Sequence, residues 1–416
     1  MISEEQIDLL VERIIQRIEK ANTYFLMKLG TSIKQIREMT STQAQQLVQV
    51  LKYGGNYDDI LREIAKYTNL NIQDIDAIFS NYAEKDQLFN EKFYQYRNIP
   101  FVKYAENDAL KRQTMALANL TKQEMYNFTR SRALGYTIRD LKGIPRFYGL
   151  RETYERVLDE ALLNVGQGKD TFDSAMTRIM KDIGGSGLKT VEFESGRSIR
   201  LDSAVRMHLK GGLRELHNEN QKLFGEEFGA DGVEISVHQN PAPDHEKAQG
   251  RQFSTVKPSK NELSEWEKLQ KGKDAKDYKG NTYNLDHDHK NGYRPISEYN
   301  CYHYIFSIVL GVSDPEYSDK QLQKIINDND KGFEFEGKHY SNYEGTQLQR
   351  NIERAIREQK DIQIFAKNGD NMKLVDECQQ KITQLTNKYK KLSDISGLPT
   401  KMQRLKVSGY RRTRIK

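Results

Sequence analysis

Cysteine is nearly absent from this chain of 416 residues: Cys301 and Cys378 are the only two. Two thiols do not make a disulfide framework, so a reducing compartment is the natural setting. Proline is also scarce, and only Pro100 and Pro145 fall within the first 185 residues. Helices there can run uninterrupted, because proline removes a backbone donor and clashes with the preceding turn. No apolar run approaches the ~18 residues of a membrane span. The longest, residues 304–312, reads as buried core. The first ten residues, MISEEQIDLL, have neither the basic start nor the apolar stretch of a signal peptide. The expectation is a protein made in a cytoplasm, kept there or in something assembled there, with no membrane partner. The Gly-x-Ser-x-Gly nucleophile turn, the phosphate-binding loop and the dinucleotide fingerprint are all missing, which removes the commonest hydrolase, nucleotidase and dehydrogenase readings.

What is present is polar. Hydrophobic residues make up 37 % and charged residues 30 %, against about 45–50 % and about 25 % in an ordinary globular domain. Such a balance suits a helix-rich chain with much exposed surface, or one that buries surface against partners. The length allows two or three domains at roughly 150 residues each. Net charge is only +6, but it is unevenly spread. Residues 401–416 hold Lys401, Arg404, Lys406, Arg411, Arg412, Arg414 and Lys416 with no acidic residue among them. That tail is an electrostatic footprint for phosphate or another acidic partner; the plainer alternative is a solvated terminus.

Apolar spacing organises the first half as successive helices. Ile7, Leu10, Val11, Ile14 and Ile18 recur at helical intervals and form one stripe. Thr40 or Ser41, Asp58 and Asn71 lie at further helix starts, and Gly54-Gly55 breaks two of them apart. Further helices are expected over 107–134, 150–166 and 171–183. From residue 187 the texture changes. Residues 190–193 and 198–201 flank Glu194-Ser195-Gly196-Arg197 as a β-hairpin, Asp202 caps a helix over 203–228, and 233–237 alternates as a strand. Residues 254–284 are a polar loop or lobe carrying Trp266, which reads as a local packing anchor, with a partner contact as the alternative. Residues 333–340 read as a strand turning at Gly337, followed by helices over 345–367 and 371–392. The expected fold class is α+β and mainly helical. Its divisions are an N-terminal helical region (1–98), a second helical region (99–186), a small α/β domain (187–315), a strand with two helices (316–395) and the basic tail (396–416).

Five of the eight histidines lie between His238 and His303. Imidazole and thiolate are suitable zinc ligands, and four such groups close a structural site. His238, His245, Cys301 and His303 are the candidate set, with zinc the only cofactor the sequence suggests. The competing reading is that they satisfy buried hydrogen bonds. A separate segment, Asp286-His287-Asp288-His289, resembles the core of HNH-type nucleases. That resemblance implies His287 as base, with Asp286 and Asn300 or His303 near a divalent ion. The HNH fold is usually fastened by two Cys-x2-Cys pairs, which this chain lacks. On the second-last expected helix, Gln347, Arg350 and Arg354 share a face and Glu353 and Arg357 are four apart, the pattern of a solvated, salt-bridged surface or, alternatively, of a face packed over the histidine cluster.

The order of motifs carries more than any one of them. His238-x6-His245 is followed by Gln249-Gly250 and Phe253, then Asn300-Cys301-Tyr302-His303, then Gly311-Val312-Ser313. Next comes Tyr340-Ser-Asn-Tyr343-Glu344-Gly-Thr-Gln347-Leu-Gln-Arg350-Asn-Ile-Glu353-Arg354-Ala-Ile-Arg357, and the texture of 388–409 continues the match. Arg112-Gln-Thr114 and Leu117-Ala-Asn119-Leu120-Thr121 fit in front. In this order the chain resembles the phage minor capsid protein 2 family, relatives of the Mu-type minor head proteins. Two positions depart from the family pattern: Ala242 and Tyr302 stand where arginine is usual, so a cation is missing at each. The resemblance implies a non-enzymatic virion protein of few copies inside the head. It would contact the portal, capsid and scaffold proteins, touch packaged DNA without reading its sequence, aid head assembly and DNA packaging or ejection, and pass through the host cytoplasm during assembly.

Overall fold

The computed structural model describes residues 4–69, 72–140, 142–192, 196–286, 294–297, 301 and 303–413. It opens on α1 (Glu4–Arg37), a helix of 34 residues. Val11, Ile14, Ile15, Ile18, Phe25, Leu29 and Ile33 are all buried along it, so the apolar stripe is real and wider than the spacing of its first residues implied. The side chains of Ile7 and Leu10 lie outside the described residues. α2 (Ser41–Tyr53) begins at Thr40, whose hydroxyl accepts from the Gln43 backbone while the Gln43 side chain accepts in return. α3 (Asn56–Thr68) starts after Gly55, which takes the left-handed conformation that separates it from α2. α4 (Ile72–Tyr96) follows, and α5 (Asp108–Thr129) is capped by the Asn107 side chain.

The next segment corrects the expectation of helices throughout the first 185 residues. β1 (Leu134–Arg139) and β2 (Pro145–Gly149) form an antiparallel hairpin. Asp140 builds its turn by accepting from the backbone of Lys142 and Ile144, and Gly143 supplies a positive φ of 78°. Beyond α6 (Leu150–Val165) and α7 (Lys169–Ser186), β3 (Lys189–Val191) and β4 (Ser198–Arg200) form the expected second hairpin. β3 pairs with β1, giving a four-stranded sheet in the order β2-β1-β3-β4.

α8 (Leu201–Phe228) runs into β5 (Gly232–Ile235), and then come β6 (Gln252–Ser254), α9 (Glu265–Gln270), β7 (Ala275–Lys276), β8 (Thr282–Tyr283) and β9 (Ile305–Ile308). β5 is the centre of a three-stranded antiparallel sheet in the order β6-β5-β9. Trp266, on α9, packs against the small core of this region with Phe253, Leu269 and Leu285, so it is a local anchor. α10 (Asp319–Lys331), unanticipated in the sequence, precedes the hairpin of β10 (Phe333–Phe335) and β11 (Lys338–Tyr340). Two long helices, α11 (Asn342–Asn368) and α12 (Met372–Ser396), complete the order. With twelve α-helices among the described residues and small sheets of two to four strands, the fold is mainly helical α+β.

The largest core runs from Val11 through Tyr136, Met180 and Leu216 to Phe365 and Cys378. It therefore draws on both sides of residues 98 and 186, and α11 returns to pack on α1 and α7, with α12 packed on α11. At that return sits a buried ionic knot. Arg200 lies 3.3 Å from Asp202 and 3.2 Å from Asp361, Arg357 is paired with Asp202, and Arg206 binds Glu12 at 2.8 Å. This corrects two expectations. Asp202 does not cap α8, whose N-cap is Arg200 with no side-chain hydrogen bond. Arg357 faces inward to Asp202 instead of pairing with Glu353, and Glu353 accepts from the Tyr389 hydroxyl at 2.9 Å. Arg350 and Arg354 do lie on the exposed face of α11.

Candidate metal centre

The small sheet positions the histidine cluster. Antiparallel register sets Ile235, the last residue of β5, opposite Ile305, the first of β9. Pairing continues outward, since Ser236 donates its backbone N–H to Tyr304 and its hydroxyl accepts from the Tyr304 backbone. His238, just beyond the end of β5, and Cys301 and His303, just before β9, thus meet at one end of the sheet. β6 also begins at that end, because Glu234 is opposite Gln252. The turn leading into it carries His245 and folds back through a Gly250 N–H bond to the Ile235 carbonyl.

Three ligand atoms converge there. Cys301 Sγ lies 3.5 Å from His245 Nδ1 and 3.5 Å from His303 Nδ1. The three groups, all buried, lie within 4.8 Å of one another. The His238 ring meets the His303 ring edge-on at 4.6 Å between centroids. Around them is a second layer of partners. His245 Nε2 is 2.7 Å from the Arg294 carbonyl and 3.5 Å from the Asp244 carboxylate. Asp244 is itself held by Arg294 through bonds of 2.6 and 2.7 Å. His303 Nε2 is 3.1 Å from Gln249 Oε1, and Gln249 is clamped to the His238 backbone at both ends of its amide. Burial, then the neighbouring histidines, hold His303 well below the usual imidazole range, so it is neutral. Burial pushes the Cys301 thiol up. His245, Cys301 and His303, with His238 beside them, are residues that could hold a metal ion.

The other expected sites fare differently. His287, Asp288, His289 and Asn300 lie outside the described residues, and Asp286 is exposed. Of the basic tail, residues up to Thr413 fold back over the helices. Thr23 donates to the Ser408 carbonyl at 2.7 Å, Lys360 to the Leu405 carbonyl at 2.5 Å, and Tyr410 and the Thr413 backbone to Gln379 at 3.1 and 2.9 Å. Leu405 is buried, Lys401 and Arg404 are partly buried, and Lys406, Arg411 and Arg412 are exposed. Arg414 and Lys416 lie outside the described residues. Gln249, Asp244 and Arg294 were not singled out as partners of the cluster. Their signal was nearness in sequence to His245 for the first two, and nothing for Arg294.

The sequence pattern of phage minor capsid protein 2 matches residues 2–394. The chain belongs to that family. It is a structural component of a phage virion. The match takes in all of α1–α11 and nearly all of α12, so the first ninety residues, where the motif resemblance was thinnest, are part of the family pattern. No curated protein and no solved structure matches the chain. Among the described residues, no helix is long and apolar enough to cross a membrane.

Proposed function

We propose that this minor capsid protein is a low-copy, non-enzymatic component of the head interior. In this reading it docks beside the portal, contacts capsid or scaffold proteins during procapsid assembly in the host cytoplasm, and aids DNA packaging or ejection. The observation that carries it is the family pattern over residues 2–394, nearly the whole chain. Two structural features support the finer parts. Val50, Tyr53, Leu120, Tyr126 and Leu163 are large apolar side chains left exposed on α2, α5 and α6, which suits helix-to-helix docking. Lys406, Arg411 and Arg412 project from a strap otherwise fixed to the body, which suits contact with packed DNA by counterion release, without reading bases. The HNH-type alternative gains no support from the family match.

Quantitative mass spectrometry of purified virions and of procapsids tests the reading. The expected result is the protein in both, at a small fraction of the major capsid copy number, and cross-linked to portal. Virions and procapsids lacking it would overturn the assignment. Its presence at major-capsid stoichiometry would overturn the portal-side placement.

A further inference from the structure

We propose that His245, Cys301 and His303 bind a structural zinc ion, with His238 completing a tetrahedral set, and that this ion fastens the ends of the β6-β5-β9 sheet. No part of the proposal depends on where the protein sits in the virion.

Hydrogen-bond accounting is the first argument. His245 Nε2 faces the Arg294 carbonyl at 2.7 Å, so it carries the ring proton and donates it. His303 Nε2 faces Gln249 Oε1, identified as oxygen because it also accepts the His238 backbone N–H at 2.8 Å. His303 Nε2 therefore carries its proton too. Both rings therefore turn Nδ1 toward the same sulfur, each at 3.5 Å. A cation between the three atoms takes all three as ligands, while the thiol proton leaves to solvent as the thiolate forms.

Distance is the second argument. Zn–S of about 2.3 Å and Zn–N of about 2.0–2.1 Å at a tetrahedral angle place sulfur and nitrogen about 3.5–3.6 Å apart. Both Sγ–Nδ1 distances are 3.5 Å. The third argument is the outer layer: zinc-binding histidines donate their remote N–H to a carbonyl or carboxylate, which fixes ring and tautomer. Both rings have such a partner, and that of His245 is backed by the Asp244–Arg294 pair. The donor set of imidazoles and one thiolate selects zinc over calcium or magnesium, which take oxygen. The fourth position falls to His238, whose ring already packs edge-on against His303 and whose Nε2 is shut off from solvent. With a closed set of four and no open position, the ion is structural.

The first test needs no variant. Protein purified under reducing conditions is analysed for metals, then stripped and titrated with cobalt. We expect about one zinc per chain, a thiolate-to-cobalt charge-transfer band saturating at one equivalent, and loss of the band on adding zinc. A metal-free chain that gives no such band overturns the site, and copper or iron in place of zinc overturns the identity of the ion. Cys301→Ala should abolish the band, whereas retention of full zinc in a folded Cys301→Ala protein refutes the ligand set. Gln249→Ala, which touches the site only through His303 and His238, should weaken zinc binding roughly 10–100-fold with the band retained. His238→Ala should keep the band but lose tetrahedral intensity in the cobalt visible spectrum; an unchanged spectrum removes His238 from the set.

Discussion

Replacing Glu19 by glutamine takes one ionisable carboxyl out of the ionic knot between α1, α8 and α11. Three arginines (Arg200, Arg206, Arg357) meet four carboxyls there (Glu12, Glu19, Asp202, Asp361), and Lys360 also acts on Glu19 from α11. The Glu19 side chain is 11 % exposed and its nearest cation, Arg357, stands 3.9 Å away, committed to Asp202. Burial first, then the charges of Asp202 and Asp361, push its carboxyl from the ordinary 4.5 up to about 8, against the pull of Arg357 and Arg200. The folded chain thus holds a proton on Glu19 that the unfolded chain has released. That contribution to stability is complete below pH 4.5 and is lost as pH rises through 8. At a full proton of difference the slope is about 1.4 kcal/mol per pH unit. Flattening near 8 leaves about 2 kcal/mol lost between pH 6 and 8. At about 2 cal/mol/K per residue of unfolding entropy, the melting point falls by roughly 2–3 °C. Asp361, raised by burial to about 6, titrates at the lower edge of this window. Asp202, despite its burial, is pulled well below the usual carboxylate range by Arg357 and Arg200 and acts lower still, with opposite sign. Melting curves of the wild type and Glu19→Gln, followed by circular dichroism from pH 6 to 8, give a difference in which the groups not coupled to Glu19 cancel. The wild type should lose stability relative to the variant as pH rises. Parallel curves would refute the reasoning.

Asp86→Ala should cost about 3–5 kcal/mol, because it strands the buried His217, Asn220 and Gln221 side chains that converge on that carboxylate; denaturant melts check it, and a loss under 1 kcal/mol would contradict it. Gly184→Ala would drive a Cβ to 2.7 Å from the Ile362 Cα, so α7 and α11 must part, at about 1–3 kcal/mol. Gly185→Ala, with open space at its Cβ, should be neutral or stabilising by up to about 1 kcal/mol, and equal destabilisation by both would show that packing is not the cause. Changing Arg411 and Arg412 together to alanine should leave melting unchanged and reduce the salt-dependence slope of DNA binding by about 2. An unchanged slope would remove the strap from the DNA-contacting surface.

Helical periodicity and turn residues made most of the helical body legible, because α2, α5 and α12 carry side-chain caps and α1 a sustained apolar stripe. What escaped was decided by partners distant in sequence. Residues 134–139 are short enough to pass for the end of the helix before them, and they are strand because β3 waits on one side and β2 on the other. α10 is strongly polar, and its capping box at Ser318 and Gln321 was the one local signal that announced it. Asp202 looked like a cap because its rival partner, Arg357, is 155 residues away. A charge four residues from its opposite on a helix reads as a surface pair, and nothing local reveals that the face turns inward.

The histidine cluster was legible for a different reason. Buried imidazoles and a thiol gathered between His238 and His303 stand out by residue type alone, and residue type is what metal chemistry selects. Composition does not supply which nitrogens face inward. That follows from the Arg294 carbonyl and the Gln249 amide, which take the Nε2 protons and aim both Nδ1 atoms at Cys301. The departure from the family pattern at Ala242 is bridged by backbone, while Tyr302 lies outside the described residues. Ala242 sits in the turn where its carbonyl accepts from the backbone of His245 and Glu246, so its contribution to the cluster is made by its backbone and survives the loss of an arginine side chain. A cation does reach the cluster from elsewhere: Arg294 neutralises Asp244 behind His245, and Arg214 donates to the Cys301 carbonyl at 2.6 Å. Arg214 and Arg294 thus act on the Cys301 thiol against its burial, which still holds it above the ordinary thiol range.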